Sequence, residues 1–97
     1  MKDQSVETPD THLPAIGRAL SCRTRLTLLQ SLALGEATVG ELVERSGSTQ
    51  PNVSNHLAVL RAAGLVSGRR LGRSVRYALA SPQVADLVRA LTAVVPD

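Results

Sequence analysis

Thr49-Gln50-Pro51-Asn52-Val53-Ser54-Asn55-His56-Leu57 interleaves amide and hydroxyl side chains with apolar ones. Val53 and Leu57, continued by Leu60 and Gly64, recur at helical spacing, so one face of this helix is committed to a core. That phase sends Pro51, Asn52, Asn55 and Ala58 outward, with Gln50, Ser54 and His56 on the flanks. Ser48 or Thr49 is the expected N-cap, and Pro51 is tolerated because the first turn has no use for its missing amide. Upstream, Thr38-Val39-Gly40-Glu41 is a capping-box pattern that opens a short helix with Val39, Leu42 and Val43 inward; Gly47 ends it. Two helices joined tightly at Gly47-Ser48, the second polar on its outward face, predict a helix-turn-helix.

Working outward, Leu65–Arg70 and Ser74–Ala80 read as strands around Leu71-Gly72-Arg73. Val75, Tyr77 and Leu79 alternate inward and Arg76 faces out. Ser81 caps, and Pro82 begins, a last helix reaching about Val95. Towards the N-terminus, Ser21 is the expected cap of a helix carrying Leu26, Leu28, Leu29 and Leu32 up to Gly35. Leu13, Ile16 and Leu20 mark a shorter first helix. Residues 1–11 are polar, carry Pro9 and have no period, so they read as a flexible tail. The fold class is mainly α with a β-hairpin wing: four helices, two strands and a fifth helix, a winged helix-turn-helix over residues 12–97.

Charge is distributed unevenly. Residues 1–47 carry five basic and six acidic side chains, whereas 48–80 carry five arginines and no acid. The net charge of only +3 hides this asymmetry, which makes a footprint for a polyanion. Ten of the eleven basic residues are arginine, suited to bidentate phosphate and guanine contacts; a biased genomic composition would give the same ratio. Tyr77 is the only aromatic residue, too little stacking surface for a typical single-strand binder. Double-stranded DNA is therefore the expected partner. Thr49, Gln50, Asn52, Ser54, Asn55 and His56 would meet base edges or their surroundings, with Arg69, Arg70, Arg73 and Arg76 on the wing. A solvated helix beside a charged hairpin is the plain alternative for either element alone.

One cysteine excludes an internal disulfide or a cysteine-cluster zinc site within one protomer. No apolar run approaches the roughly 18 residues of a membrane span, and the N-terminus lacks a signal-peptide pattern, so a soluble cytoplasmic protein is expected. No phosphate-binding glycine loop, nucleophile elbow, paired catalytic carboxylates or metalloprotease motif is present, and the expectation is that the chain is not an enzyme. The last helix is apolar over Val84, Leu87, Val88, Leu91, Val94 and Val95. A two-fold homodimer burying Leu13, Ile16, Leu20, Leu87, Leu91 and Val94 would cover it; closure of a monomeric core is the alternative.

The chain resembles the arsenic-repressor (ArsR/SmtB) family of winged-helix transcriptional regulators from about Ile16 to Val95. The most specific stretches are Gln50-Pro51-Asn52-Val53-Ser54-Asn55-His56-Leu57-Ala58-Val59-Leu60-Arg61-Ala62-Ala63-Gly64-Leu65-Val66 and Arg70-Leu71-Gly72-Arg73-Ser74-Val75-Arg76-Tyr77-Ala78-Leu79. Leu20-Ser21-Cys22-Arg23-Thr24-Arg25-Leu26 is similar to the family's Leu-x-Asp-Pro-Thr-Arg, with Cys22 and Arg23 replacing Asp and Pro. The resemblance implies a homodimer that represses from a palindromic operator and is released by a ligand. It also implies where inducer sites would lie. Thr38 and Gly40 stand where thiol-based sensors carry Cys-x-Cys, and Ser81 and Gln83 where zinc, nickel and cobalt sensors carry Asp-x-His.

With both common metal sites replaced, the remaining candidates are Cys22 and an N-terminal set, Glu7, Asp10 and His12. Nickel or zinc would suit the oxygen- and nitrogen-rich set, while Cys22 would suit a soft metal or oxidation. Packing of Cys22 at a helix start, and an unliganded His12, are the plain readings, and the effector is not specified by the sequence. Two other functions compete with repression: a thiol redox switch at Cys22, and a winged-helix protein-interaction module. Acidic residues on the outward helix face would favour the module, and none is present.

Overall fold

The computed structural model describes residues 13–94. They form α1 (Leu13–Leu20), α2 (Arg23–Ala33), β1 (Ala37–Thr38), α3 (Val39–Ser46), α4 (Gln50–Ala62), β2 (Val66–Leu71), β3 (Ser74–Leu79) and α5 (Pro82–Val94). The tail expected at 1–11 lies outside the described residues. The five helices and the wing are those the sequence predicts, and β1 is the correction. It pairs antiparallel with β3, Ala37 opposite Tyr77 and Thr38 opposite Arg76, giving a three-stranded sheet in the order β1-β3-β2. Two residues have no period to read, so this strand exists only through its tertiary partner.

The helix ends follow from local chemistry. Thr38 Oγ1 accepts from the Glu41 amide at 3.2 Å, and Glu41 Oε1 accepts from the Thr38 amide at 2.9 Å, completing the capping box of α3. Gly47, at φ 74°, donates its amide to Val43 O and turns the chain through a left-handed conformation that side chains resist. Thr49 rather than Ser48 caps α4, its Oγ1 accepting from the Asn52 amide at 3.3 Å. Ser81 Oγ caps α5 through the Val84 amide. Ser21 does not cap α2. Its hydroxyl donates to Arg18 O at 2.8 Å, and Cys22 holds the N-cap position without a side-chain cap bond. The free carbonyls at the end of α1 capture the hydroxyl before it can serve the next helix. Gly64 also departs from the helical spacing: α4 stops at Ala62, and Gly64, at φ 79°, turns the chain towards β2.

The core gathers one face of each helix. Leu28 and Leu29 of α2, Leu42 of α3, and Val53, Leu57 and Leu60 of α4 are almost wholly excluded from solvent. Ala19 of α1, Val88 of α5, and Leu65 and Val66 after α4 complete the cluster, with Tyr77 and Leu79 of β3 packed against it. Each large side chain contributes about 1.5–3 kcal/mol by leaving water. The hairpin is fitted to its aromatic residue: Gly68 lies opposite Tyr77. A Cβ on Gly68 would stand 3.1 Å from Tyr77 Cε1 and 3.2 Å from Val75 Cγ1, so the ring lies over bare backbone.

Leu57 anchors α4 from the centre of this core, at 1 % exposure. Leu57→Ala is expected to destabilise the protein by about 2–5 kcal/mol, measured by chemical denaturation followed by circular dichroism.

Candidate nucleic-acid interface

Burial of Val53, Leu57 and Leu60 fixes the rotation of α4, and Val59 packs partly against the same core. Gln50, Asn52, Ser54 and Asn55 are exposed, and none makes a side-chain hydrogen bond among the described residues. Four exposed amide or hydroxyl groups, Asn52 and Asn55 on the outward face and Gln50 and Ser54 on its flanks, are suited to meeting base edges in the major groove. Thr49 is different, because its hydroxyl oxygen already caps the helix. Arg61, in the last turn of α4, is exposed and has no acidic partner among the described residues.

His56 is half-buried on the flank facing α2. Its Nδ1 lies 3.3 Å from Arg25 Nη1. Partial burial, followed by the positive charge of Arg25, holds the imidazole below the usual histidine range. Nothing in the sequence reading ties Arg25 to His56, which lie 31 residues apart.

The wing arginines divide into two pairs. Arg69 and Arg76 stand directly opposite each other across the β2–β3 ladder, an arrangement of like charges that opposes pairing. Each has an acid beside it. Arg69 Nη2 donates to both carboxylate oxygens of Glu36, at 3.0 and 3.2 Å, and Arg76 Nη1 lies 3.7 Å from Glu41. These acids precede or open the helix-turn-helix, so the run of arginines without an acid in the sequence is partly neutralised from another segment in space. Arg76 is accordingly half-buried against Glu41, where the sequence reading turned it out to solvent. The Thr38 amide, then Arg76 and Arg45, hold the Glu41 carboxyl below its ordinary range. Arg70 and Arg73 have no acidic partner among the described residues, and Arg73 occupies the turn of the wing next to Gly72.

Two of the residues expected to form a dimer surface, Leu20 and Leu91, line one groove. Leu20, Leu26, Val88 and Leu91 line an open groove of about 700 Å³ between α1, α2 and α5, rimmed by Thr27, Gln30 and Thr92. Ile16 packs partly against the core, and Leu87 remains 37 % exposed. The side chains of Leu13 and Val94 are outside the described set.

Cys22 is partly exposed. The Arg25 amide in the first turn of α2 holds the thiol below its usual range, with help from the Thr24 amide and the Arg25 charge, against a small opposing effect of burial. Among the described residues no three His, Cys, Asp or Glu side chains converge on a possible metal position. Glu7, Asp10 and His12 lie outside the described residues. No helix among the described residues is long and apolar enough to cross a membrane.

Comparison with known proteins bears on the same elements. The family model described as "Bacterial regulatory protein, arsR family" matches residues 22–67, from the start of α2 into β2. A Streptomyces lividans protein named "Probable mercury resistance operon repressor" is 47% identical over 87 residues, covering 87% of this chain and 70% of the relative. The transcriptional regulator CmtR of Mycobacterium bovis is 43% identical over 95 residues, covering 94% of this chain and 80% of its own length. Among solved structures, a homodimeric winged helix-turn-helix DNA-binding domain from Mycobacterium bovis superposes with a TM-score of 0.86 at 31% identity. That match covers 97% of this chain and 89% of the other.

The division of the wing arginines has a measurable consequence on duplex DNA. Arg73→Ala is expected to flatten the plot of log affinity against log salt by roughly 0.9, the effect of one lost phosphate contact. Arg69→Ala is expected to change it by clearly less, since its charge is already shared with Glu36. Fluorescence anisotropy across a salt series measures both.

Proposed function

The chain belongs to the arsR family of bacterial regulatory proteins, and from that premise we propose that it is a homodimeric repressor reading an inverted-repeat operator. The observation that carries this reading is the outward side of α4, where Gln50, Asn52, Ser54 and Asn55 are exposed, beside a wing with two arginines that have no acidic partner among the described residues. Gln and Asn pair bidentately with adenine, and each good pair contributes about 1–3 kcal/mol of discrimination. Ser54 supplies a hydroxyl able to donate or accept, and Arg70 and Arg73 reach the backbone beyond the central contacts. Thr49 supports the helix end more than it reads.

A second copy covers the groove between α1, α2 and α5. Leu20, Leu87 and Leu91 meet their symmetry mates there, extended by Ile16, Leu13 and Val94. The two-fold axis then sets two α4 helices about 34–36 Å apart, one turn of DNA. A homodimeric neighbour of the same fold supports this arrangement. No enzymatic chemistry enters the proposal, because the exposed groups are hydrogen-bonding amides and cations without a nucleophile–base pair.

Regulation belongs to the class of metal- or thiol-directed signals that the mercury-operon relative's name suggests. The nitrogen and oxygen donors for nickel or zinc would come from Glu7, Asp10 and His12. The soft donor would be Cys22.

Selection of duplexes from a randomised library by the wild-type protein tests the function directly; an inverted repeat is the expected product. Asn55→Ala should weaken binding to that duplex about 5- to 150-fold, corresponding to the loss of one base pairing contact, with unchanged thermal stability. Leu91→Glu should abolish the dimer in analytical ultracentrifugation. Recovery of no preferred sequence by the wild type would refute the reading.

A further inference from the structure

Arg25 places one guanidinium among three groups of two other helices. Its Nε donates to Ala19 O at 2.8 Å and its Nη2 to Arg18 O at 2.7 Å, so the fork closes the C-terminal carbonyls of α1. Its remaining nitrogen, Nη1, lies 3.3 Å from Nδ1 of His56 on α4. A cation at the end of α1 is also favoured by the helix dipole. An arginine only donates, so His56 Nδ1 must present its lone pair and the ring hydrogen of the neutral form belongs on Nε2. Protonation of His56 removes the acceptor and sets two cations against each other. Among the described residues, Arg25 of α2 is the charged group acting on this imidazole, and α1 contributes the backbone carbonyls of Arg18 and Ala19.

We infer that Arg25 is a positioning residue for DNA reading: it fixes α4 against the end of α1 through His56 Nδ1, and does so only while His56 is neutral. The inference rests on the proposed role of α4. It adds that the helix on the dimer side of the domain and the reading helix share one hydrogen-bonded side chain. Lysine cannot take the place of Arg25, because a single ammonium lacks the planar fork that reaches two carbonyls and a ring nitrogen together. Glutamine can take the place of His56, because its amide oxygen accepts and does not titrate.

The probe is the duplex selected by wild-type protein, against an unrelated duplex of equal length. Arg25→Lys and His56→Phe are each expected to lower the ratio of specific to non-specific affinity about tenfold at pH 8, equivalent to about 1.4 kcal/mol. The double variant should lose little more than either alone, because both substitutions remove one shared contact. His56→Gln, whose amide oxygen can still accept from Arg25, should lose clearly less of the ratio at pH 8 than His56→Phe. As pH falls from 8 through and below the usual histidine range, the wild-type ratio should fall as His56 takes up a proton, while the ratio for His56→Gln stays level. The sign follows from a histidine held below its usual range: the neutral, bonded form is complete above that range and is lost as pH falls through the lowered value. Nitrogen chemical shifts of the His56 ring in free protein give a second readout, with Nδ1 unprotonated in neutral wild type and the preference for the Nε2–H tautomer lost in Arg25→Lys.

An Arg25→Lys protein that melts like wild type and keeps its full ratio overturns the inference. So does a His56→Gln protein with the wild-type pH profile. Should Arg25→Lys fail to fold, His56→Gln and His56→Phe still decide, since neither alters the carbonyl contacts on α1. Failure of the wild type to prefer any duplex refutes the repressor reading and this inference with it. A wild type that binds its selected duplex alongside unaffected variants refutes this inference alone.

Discussion

The phase of α4 is the constraint on which the rest depends. Val53, Leu57 and Leu60 are buried to the limit, and a helix pinned at three such points cannot rotate without exposing apolar surface. Each side chain withdrawn from water is worth about 1.5–3 kcal/mol, and the cost of burying an unpaired amide favours the same rotation. The polar face is therefore defined by what it excludes. Asn52, Ser54 and Asn55 lie in fixed directions because their neighbours are buried, and no bond of their own holds them. That leaves their hydrogen-bonding capacity uncommitted, as a helix that reads another molecule requires.

Electrostatics then selects which part of a basic surface remains available. Seen along the chain, the segment after Glu44 is purely cationic up to Asp86. In space, Glu36 and Glu41 approach from β1 and α3 and compensate Arg69 and Arg76. Exposed pairs of this kind contribute only about 0–1 kcal/mol to stability, so their larger effect is on the field. They relieve the repulsion of two guanidinium groups facing each other across a hairpin, and among the described residues they leave the charge at Arg70 and Arg73 uncompensated. The wing is thus a structural strip near the core and a cationic end at Gly72-Arg73.

Much of this was legible in the sequence because it is written in local patterns. The capping box at Thr38 and Glu41, the left-handed Gly47, the proline in the first turn of α4 and the apolar spacing of Leu57 and Leu60 each depend on residues within a turn of one another. What was missed depends on residues far apart. Ala37–Thr38 becomes a strand only because β3 offers an edge. Arg76 turns to Glu41 through the same pairing, and no spacing rule relates those positions. Ser21 was misassigned because two helix ends compete for one hydroxyl, and the nearer carbonyl wins. The acidic residues flanking β1 did offer a signal: two carboxylates five residues apart, on either side of a short apolar step, suggest partners among the arginines downstream.

Arg25 shows how a domain this small can connect its two sides. The core itself transmits little directional information, since its contacts are apolar and interchangeable. A hydrogen-bonded fork is different. It has fixed donors, it needs acceptors at set positions, and it fails when one of those acceptors gains a proton. Ala19 O and Arg18 O belong to the end of α1, and His56 Nδ1 belongs to α4. A shift of α1 against α2 must either draw the guanidinium along, with its contact to His56, or break its bonds to the α1 carbonyls. The groove beside Leu20 and Leu91 adjoins the same end of α1. Leu20, the last residue of α1, lines that groove, so the groove and the Arg25 fork share one helix end.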